Sequence, residues 1–251
     1  MGIDPSLSIP TPDGRTIYGF FNQAGPAHSD RLLILSHGLT GNTREFLHVM
    51  AKRSFTAHGY DVARFSYYHM QKGARKLREC TLATHAQDLN TVVEHFRSKY
   101  SKIFIAGHSY GGLTILFANP KVTAVSYWDP TWTPAWQHEV IPKAEIKCFA
   151  MNTGQENLVG KDMLDEAANL ALNPPYEKAR EFNVPAQVVL AKGEEKPGRN
   201  RDGLFKALIC TKELQWVDDA DHEFTYGDSV EQLMGHALRW FNTFCTVRKK
   251  S

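Results

Sequence analysis

The chain has 251 residues, enough for one large core and too few for two domains of ordinary size. Apolar residues make up 42% and charged residues 22%, a globular balance that excludes disordered and fibrous classes. Lys plus Arg number 29 against 27 Asp plus Glu, and a net charge of +2 points to neither nucleic acid nor an acidic surface as partner.

The opening Met1-Gly2-Ile3-Asp4-Pro5-Ser6 has no cationic stretch followed by an apolar one, so no signal peptide is expected. Gly2 and Ser6 have the spacing of a myristoylation site, against which Pro5 stands. Ser6–Pro10 is extended, Pro12-Asp13-Gly14 is a turn signal, and 16–21 alternates aromatic and β-branched residues, which predicts a hairpin. Arg31–Ser36 (RLLILS) is a nearly continuous apolar run, the mark of a strand covered on both faces. A helical pattern over about 43–57 ends at His58-Gly59, and 61–67 is the next strand. The helical period returns over 84–100, with Leu89, Val92, Val93 and Phe96 on one stripe. The apolar strand 103–106 runs directly into Gly107-His108-Ser109, followed by a helix over 110–117 and a strand over 122–128. From about 130 to 182 the alternation stops, in a segment rich in Trp, Pro and Asn. It resumes with a strand over 184–191, a helix over 204–210, a strand over 213–217 and a closing helix over 230–244. This rhythm predicts an α/β fold, a doubly wound and mostly parallel sheet with ligands bound beyond the carboxyl ends of its strands.

Three motifs fall at such strand ends. Gly107-His108-Ser109-Tyr110-Gly111 is a G-x-S-x-G pentapeptide between an apolar strand and a helix. A serine at so sharp a turn takes a strained backbone, and its neighbours two positions away must be small. Its hydroxyl then stands at a helix N-terminus, where developing negative charge is favoured, so Ser109 is the candidate nucleophile. Chemistry at such a serine needs two backbone N–H donors for the tetrahedral oxygen. Tyr110 is the candidate for one, and Leu39, in His37-Gly38-Leu39-Thr40-Gly41 after the strand Arg31–Ser36, for the other. His37 itself reads as a structural, partly buried histidine. Asp221-His222-Glu223-Phe224 follows the last strand, and chain order selects His222 among eleven histidines as the general base. His236 reads as an ordinary helix residue and His85 as a surface or capping residue.

At these three places the chain resembles the α/β-hydrolase family. HGLTGN looks like the oxyanion loop, GHSYGG like the nucleophile elbow and DADHEF like the histidine loop. Asp13-Gly14 and Asp88 also match common family features, and the combination is most similar to small carboxylesterases of cinnamoyl and acylglycerol type. The resemblance covers essentially the whole chain. It implies an α/β-hydrolase fold as a single domain over 1–251, with a small cap insertion over about 130–182. It implies a carboxylesterase-type serine hydrolase, cleaving carboxylic esters through an acyl-enzyme on Ser109 without cofactor or metal. Its partner would be a small-molecule ester, short- to medium-chain or aryl. A thioesterase or amidase of the same fold, and an inactive binding protein on the same scaffold, are the competing functions.

The acid is ambiguous. The family usually carries it after the penultimate strand, where this chain reads Lys192-Gly193-Glu194-Glu195-Lys196, with lysine in place of aspartate. A minority use an acid directly after the preceding strand, the position of Asp129 in Tyr127-Trp128-Asp129-Pro130. Asp129 is the first choice, Glu195 or Glu194 the alternative, and Asp202 a more distant one; a turn or capping role is what competes for Asp129. Trp128, Trp132 and Trp136 either line an acyl pocket at the base of the cap or pack it onto the sheet.

Other signals are bland. GQENLVGKD at 154–162 has an unsuitable spacing for a P-loop and aspartate where Ser or Thr is required, and His138-Glu139 lacks the second histidine of a zincin. Cys80, Cys148, Cys210 and Cys245 are scattered, as suits unpaired thiols of a cytoplasmic protein. No apolar run approaches the roughly 20 residues of a membrane span. Arg248-Lys249-Lys250 reads as a solvated tail, and the oligomeric state is left open.

Overall fold

The computed structural model describes residues 4–27, 29–134, 140–143, 147–152, 156–193 and 203–245. Gly2, Trp136, His138, Glu139, Glu194, Glu195, Asp202 and the run 248–250 lie outside them. In chain order the first half comprises β1 (Ser6–Pro10), β2 (Thr16–Asn22), β3 (Arg31–Ser36), α1 (Phe46–Ala57), β4 (Asp61–Ser66), α2 (Leu82–Arg97), β5 (Lys102–His108), α3 (Tyr110–Ala118) and β6 (Ala124–Trp128). Then come β7 (Val140–Lys143), β8 (Cys148–Asn152), β9 (Glu156–Val159), α4 (Lys161–Leu172), α5 (Tyr176–Glu181), β10 (Ala186–Ala191), α6 (Gly203–Ala207), β11 (Lys212–Val217) and α7 (Ser229–Asn242).

Among the described residues, eight strands form one sheet in the order β1-β2-β4-β3-β5-β6-β10-β11. In it β1, β2 and β4 pair antiparallel, and β4, β3, β5, β6, β10 and β11 follow one another in parallel. Because successive side chains point to opposite faces, each central strand feeds two cores. Ile103, Ile105, Val125, Tyr127 and Val188 face α2, α3 and α5, whereas Phe104, Ala106, Ala124, Trp128 and Val189 face α1 and α7. Both faces are covered, which is why these strands read as unbroken apolar runs.

Helix starts differ from the sequence pattern for local reasons. Thr81 and Thr84 form a reciprocal cap, Thr81 Oγ1 accepting from Thr84 N at 3.1 Å, so α2 begins at Leu82 rather than Thr84. Asn42 Oδ1 accepts from Arg44 N at 2.8 Å, a side-chain turn that holds the backbone out of α1 until Phe46. Arg75 joins the two family-like aspartates, meeting Asp13 at 2.7 Å and Asp88 through a forked pair of bonds at 3.0 and 3.2 Å. The segment after β6 holds an antiparallel sheet, β7-β8-β9, followed by α4 and α5. Strands of four or five residues with mixed burial leave neither a run nor a period in the sequence. Met151, Val159, Met163 and Leu170 from this segment pack with Tyr110 and Leu113 at the start of α3. Among the described residues no helix is long and apolar enough to cross a membrane, and the four cysteines are unpaired.

Candidate active site

Ladder register brings the site together. His108 pairs with Trp128 across β5 and β6, so Ser109 and Asp129, each one residue further on, leave adjacent strand ends side by side. Ser109 N–H donates to the Trp128 carbonyl at 3.0 Å and Asp129 N–H to the Val189 carbonyl at 2.8 Å. Ser109 has φ 53° and ψ −119°, between the end of β5 and the first residue of α3. The glycines flanking it are dictated by contact. A Cβ on Gly107 would lie 2.5 Å from Ile115 Cδ1, and one on Gly111 2.2 Å from the Ser36 carbonyl oxygen.

His222 lies on the loop between β11 and α7 and bridges the other two side chains. Its Nδ1 is 2.6 Å from Asp129 Oδ2 and its Nε2 is 3.0 Å from Ser109 Oγ. Asp129 is 1% exposed, and the Ala191 N–H donates to its other carboxylate oxygen at 3.3 Å. An ionised carboxylate only accepts, so the Nδ1 proton faces Asp129 and the Nε2 lone pair faces Ser109. The loop is pinned on both sides of His222. Asp221 accepts from Thr225 N and Oγ1 at 2.5 and 2.7 Å, Phe224 is fully buried, and the His222 carbonyl accepts from His108 Nε2 at 2.9 Å.

The loop after β3 closes the other flank. A Cβ on Gly38 would lie 3.3 Å from Ser109 Cβ, and Gly41 N–H bonds the Gly38 carbonyl at 3.1 Å. Among the described residues, neither the Leu39 nor the Tyr110 N–H donates to another protein group. His37 anchors this loop: its Nε2 accepts from Tyr67 N at 3.2 Å, so its Nδ1–H donates to the Gly38 carbonyl at 2.7 Å. Seven non-glycine residues among those described have positive φ, and five lie on the loops that meet here: Thr40, Ser109, Asp129, and both Asp219 and Phe224 on the loop of His222. Such conformations cost of order 1–3 kcal/mol each and persist where the surrounding structure holds them, typically at functional sites.

The sequence profile of the alpha/beta hydrolase family matches residues 33–235. The chain belongs to the alpha/beta hydrolase family. No curated protein sequence matches it significantly. Among solved structures, the esterase domain of a Rhodothermus marinus protein is 19% identical, with a TM-score of 0.74 over 98% of this chain and 100% of that one. Est1E from Butyrivibrio proteoclasticus, solved with ferulic acid bound, is 16% identical, with a TM-score of 0.78 over 95% and 99%. The Pyrococcus furiosus esterase Pf2001 is 16% identical, with a TM-score of 0.71 over 97% and 93%. At these identities the likeness is one of fold.

Several residues of this hydrolase-family chain sit elsewhere than the sequence suggested. Trp128 and Trp132 are 1% and 0% exposed and have no surface to offer a substrate pocket. Strand parity turns Trp128 toward α1 and α7, where its Nε1 donates to Ser126 Oγ at 3.0 Å, and Trp132 packs edge-on to Tyr127 at 4.9 Å. His85 is buried rather than on the surface, stacked on Tyr67 at 4.2 Å with neither ring nitrogen partnered. It lies one turn before Leu89, on the stripe that Val92, Val93 and Phe96 continue, and that spacing was its signal. Thr131 was not singled out at all, yet its Oγ1 lies 3.1 Å from Ser109 Oγ. Lys192, in the loop where the resemblance would usually carry the acid, pairs with Asp218 at 2.8 Å on the surface.

His108, His222 and Glu223 are the group among the described residues whose ligand atoms come within 4.8 Å of one another, as a metal site would require. His108 Nε2 is committed to the His222 carbonyl, and both nitrogens of His222 are engaged. A cation there would have to break the site's own hydrogen bonds.

The buried histidines set a pH dependence. Burial holds His37 and His108 down at about 4, reinforced at His108 by the charge of neighbouring His222, and holds His48 and His85 well below their ordinary range. The unfolded chain protonates them near pH 6.5, so the stability each carries is intact above that pH and lost as pH falls toward about 4. At about 1.36 kcal/mol per pH unit, His37 or His108 alone is worth about 3 kcal/mol. Glu45 acts oppositely: burial, with Glu223 nearby, raises its carboxyl to about 8, so its contribution fades as pH rises from about 4.5 to 8. Thermal melts should therefore peak between about pH 6 and 7, falling steeply toward pH 4.5 and gently toward pH 8. A melting temperature that is flat or rises from pH 6.5 to 4.5 contradicts this.

Proposed function

We propose that the protein is a serine hydrolase of carboxylic esters, with Ser109 as nucleophile, His222 as general base and Asp129 as the acid that orients it. The observation that carries the reading is the unbroken chain of hydrogen bonds from Asp129 through His222 to Ser109 Oγ, at 2.6 and 3.0 Å. Ser109 attacks the ester carbonyl as its proton passes to His222 Nε2, and the Leu39 and Tyr110 N–H groups receive the developing oxyanion. His222 then protonates the departing alcohol. Water repeats the sequence on the acyl-enzyme and releases the acid. Esterases among the structures of similar fold agree with this reading.

Short- to medium-chain or aryl esters are the proposed substrates. The helix α4 turns Met163, Ala167 and Leu170 inward, Met163 and Leu170 packing with Tyr110 and Leu113, and has no wide apolar outer face for an oil–water interface. We place the insertion over about 130–182 as a small cap on a single hydrolase domain, and the protein in the cytoplasm. Matched ester, thioester and amide substrates, with an acyl chain-length and aryl-ester series, test the assignment. Soluble esters should be turned over fastest, with no rise in rate above the solubility limit of a long-chain ester. Preference for the thioester or amide, or a clear interfacial jump, overturns it.

A further inference from the structure

Thr131 touches the reacting oxygen, and the neighbouring hydrogen bonds set the direction of that contact. The Nδ1 proton of His222 faces Asp129, so Nε2 presents a lone pair and the single proton of Ser109 is donated to it. The contact between Ser109 Oγ and Thr131 Oγ1, at 3.1 Å, then has only one donor left, the threonine hydroxyl. Its geometry is fixed by the backbone. Asp129, at φ 37°, and Pro130 turn the chain back over the elbow, and Thr131 N–H donates to the Ser109 carbonyl at 3.1 Å. Pro130 also packs close to Gly112, where an added Cβ would lie 2.7 Å from Pro130 Cβ. Thr131 is thus held to the nucleophile by main chain and side chain together.

Resting on the reading of Ser109 as nucleophile, we propose that the Thr131 hydroxyl is a further catalytic residue that stabilises the serine oxygen whenever it carries charge. In acylation the Ser109 O–H bond breaks, its proton goes to His222 Nε2, the Oγ–carbon bond forms, and the carbonyl π pair moves onto the carbonyl oxygen. Negative charge accumulates on Oγ before the new bond is complete, and a bond donated to a charged acceptor is roughly twice as strong as one to a neutral acceptor. The contact therefore favours the transition state over the resting hydroxyl. Once Oγ is an ester oxygen it is a weak acceptor. When hydroxide, formed as water gives its proton to His222, attacks the acyl carbon and the intermediate collapses, the Oγ–carbon bond breaks. The electron pair returns to Oγ, which takes the proton from His222 while Thr131 donates to it again. Acylation and deacylation both gain, and substrate affinity does not.

Thr131→Val removes the donor and keeps the shape and the backbone bond; Thr131→Ser keeps the donor. The probes are a fluorophosphonate, which reads attack by Ser109 alone, and p-nitrophenyl butyrate. Thr131→Val should lose about tenfold in the labelling rate constant and in kcat, with KM and melting temperature close to the parent, and Thr131→Ser should recover most of the loss. Thr131→Val reacting at parental rates with both probes overturns the inference, as does Thr131→Ser as slow as Thr131→Val, or a loss that appears wholly in KM. These results leave Ser109 as nucleophile, because the parent is labelled in each. A folded parent that is not labelled overturns the nucleophile reading itself and the inference with it.

Discussion

Asp129→Asn is expected to lower kcat by about four orders of magnitude while leaving the fold intact. The amide keeps the shape of the carboxylate but can donate to Nδ1, favouring the tautomer in which Nε2 carries the proton and cannot accept one from Ser109. The same replacement in serine proteases costs about 10⁴, or about 5.5 kcal/mol at 1.36 kcal/mol per tenfold. A carboxylate near the site but outside the hydrogen-bond chain should cost about tenfold, through field or packing alone. Glu194→Gln and Glu195→Gln are therefore expected to stay mild. Steady-state kinetics on the three variants decide the matter: a severe loss in a glutamate variant beside a nearly normal Asp129→Asn returns the acid to the loop after β10.

Ser109→Ala is the second large effect. It should bring ester hydrolysis to background while the melting temperature holds or rises slightly. Alanine is no easier than serine at φ 53°, but the hydroxyl removed is a polar group held for chemistry rather than packing. The readout is ester turnover and thermal melting on the same preparation. Substantial turnover by pure, folded Ser109→Ala protein removes the nucleophile from the account.

Ser109 and His222 were legible because each lies in a short motif whose position against a strand can be read locally. Asp129 was legible only as the first choice among several carboxylates, with Glu194, Glu195 and Asp202 as alternatives. The sequence places carboxylates after both β6 and the strand before the last, and nothing linear says which loop reaches His222; the β5–β6 register sets Asp129 beside Ser109, and its Oδ2 lies 2.6 Å from His222 Nδ1. Trp128 could be read as pocket or packing residue because a strand end suggests either, and strand parity sends it into the core against α1 and α7. Thr131 could not be seen in advance. Its contact depends on the turn at Asp129, where φ is 37°, a conformation no residue-type pattern announces. The β7-β8-β9 sheet was missed for the opposite reason, since its strands are too short and too unevenly buried to show a period.

The proposed chemistry stands or falls with an activated serine at position 109. Fluorophosphonate treatment of the folded protein, followed by intact mass measurement and peptide mapping, tests it without any assumption about substrate. The expected result is one adduct per chain, on the Ser109 hydroxyl within Gly107-His108-Ser109-Tyr110-Gly111. An unchanged mass, or an adduct on any other residue, contradicts it.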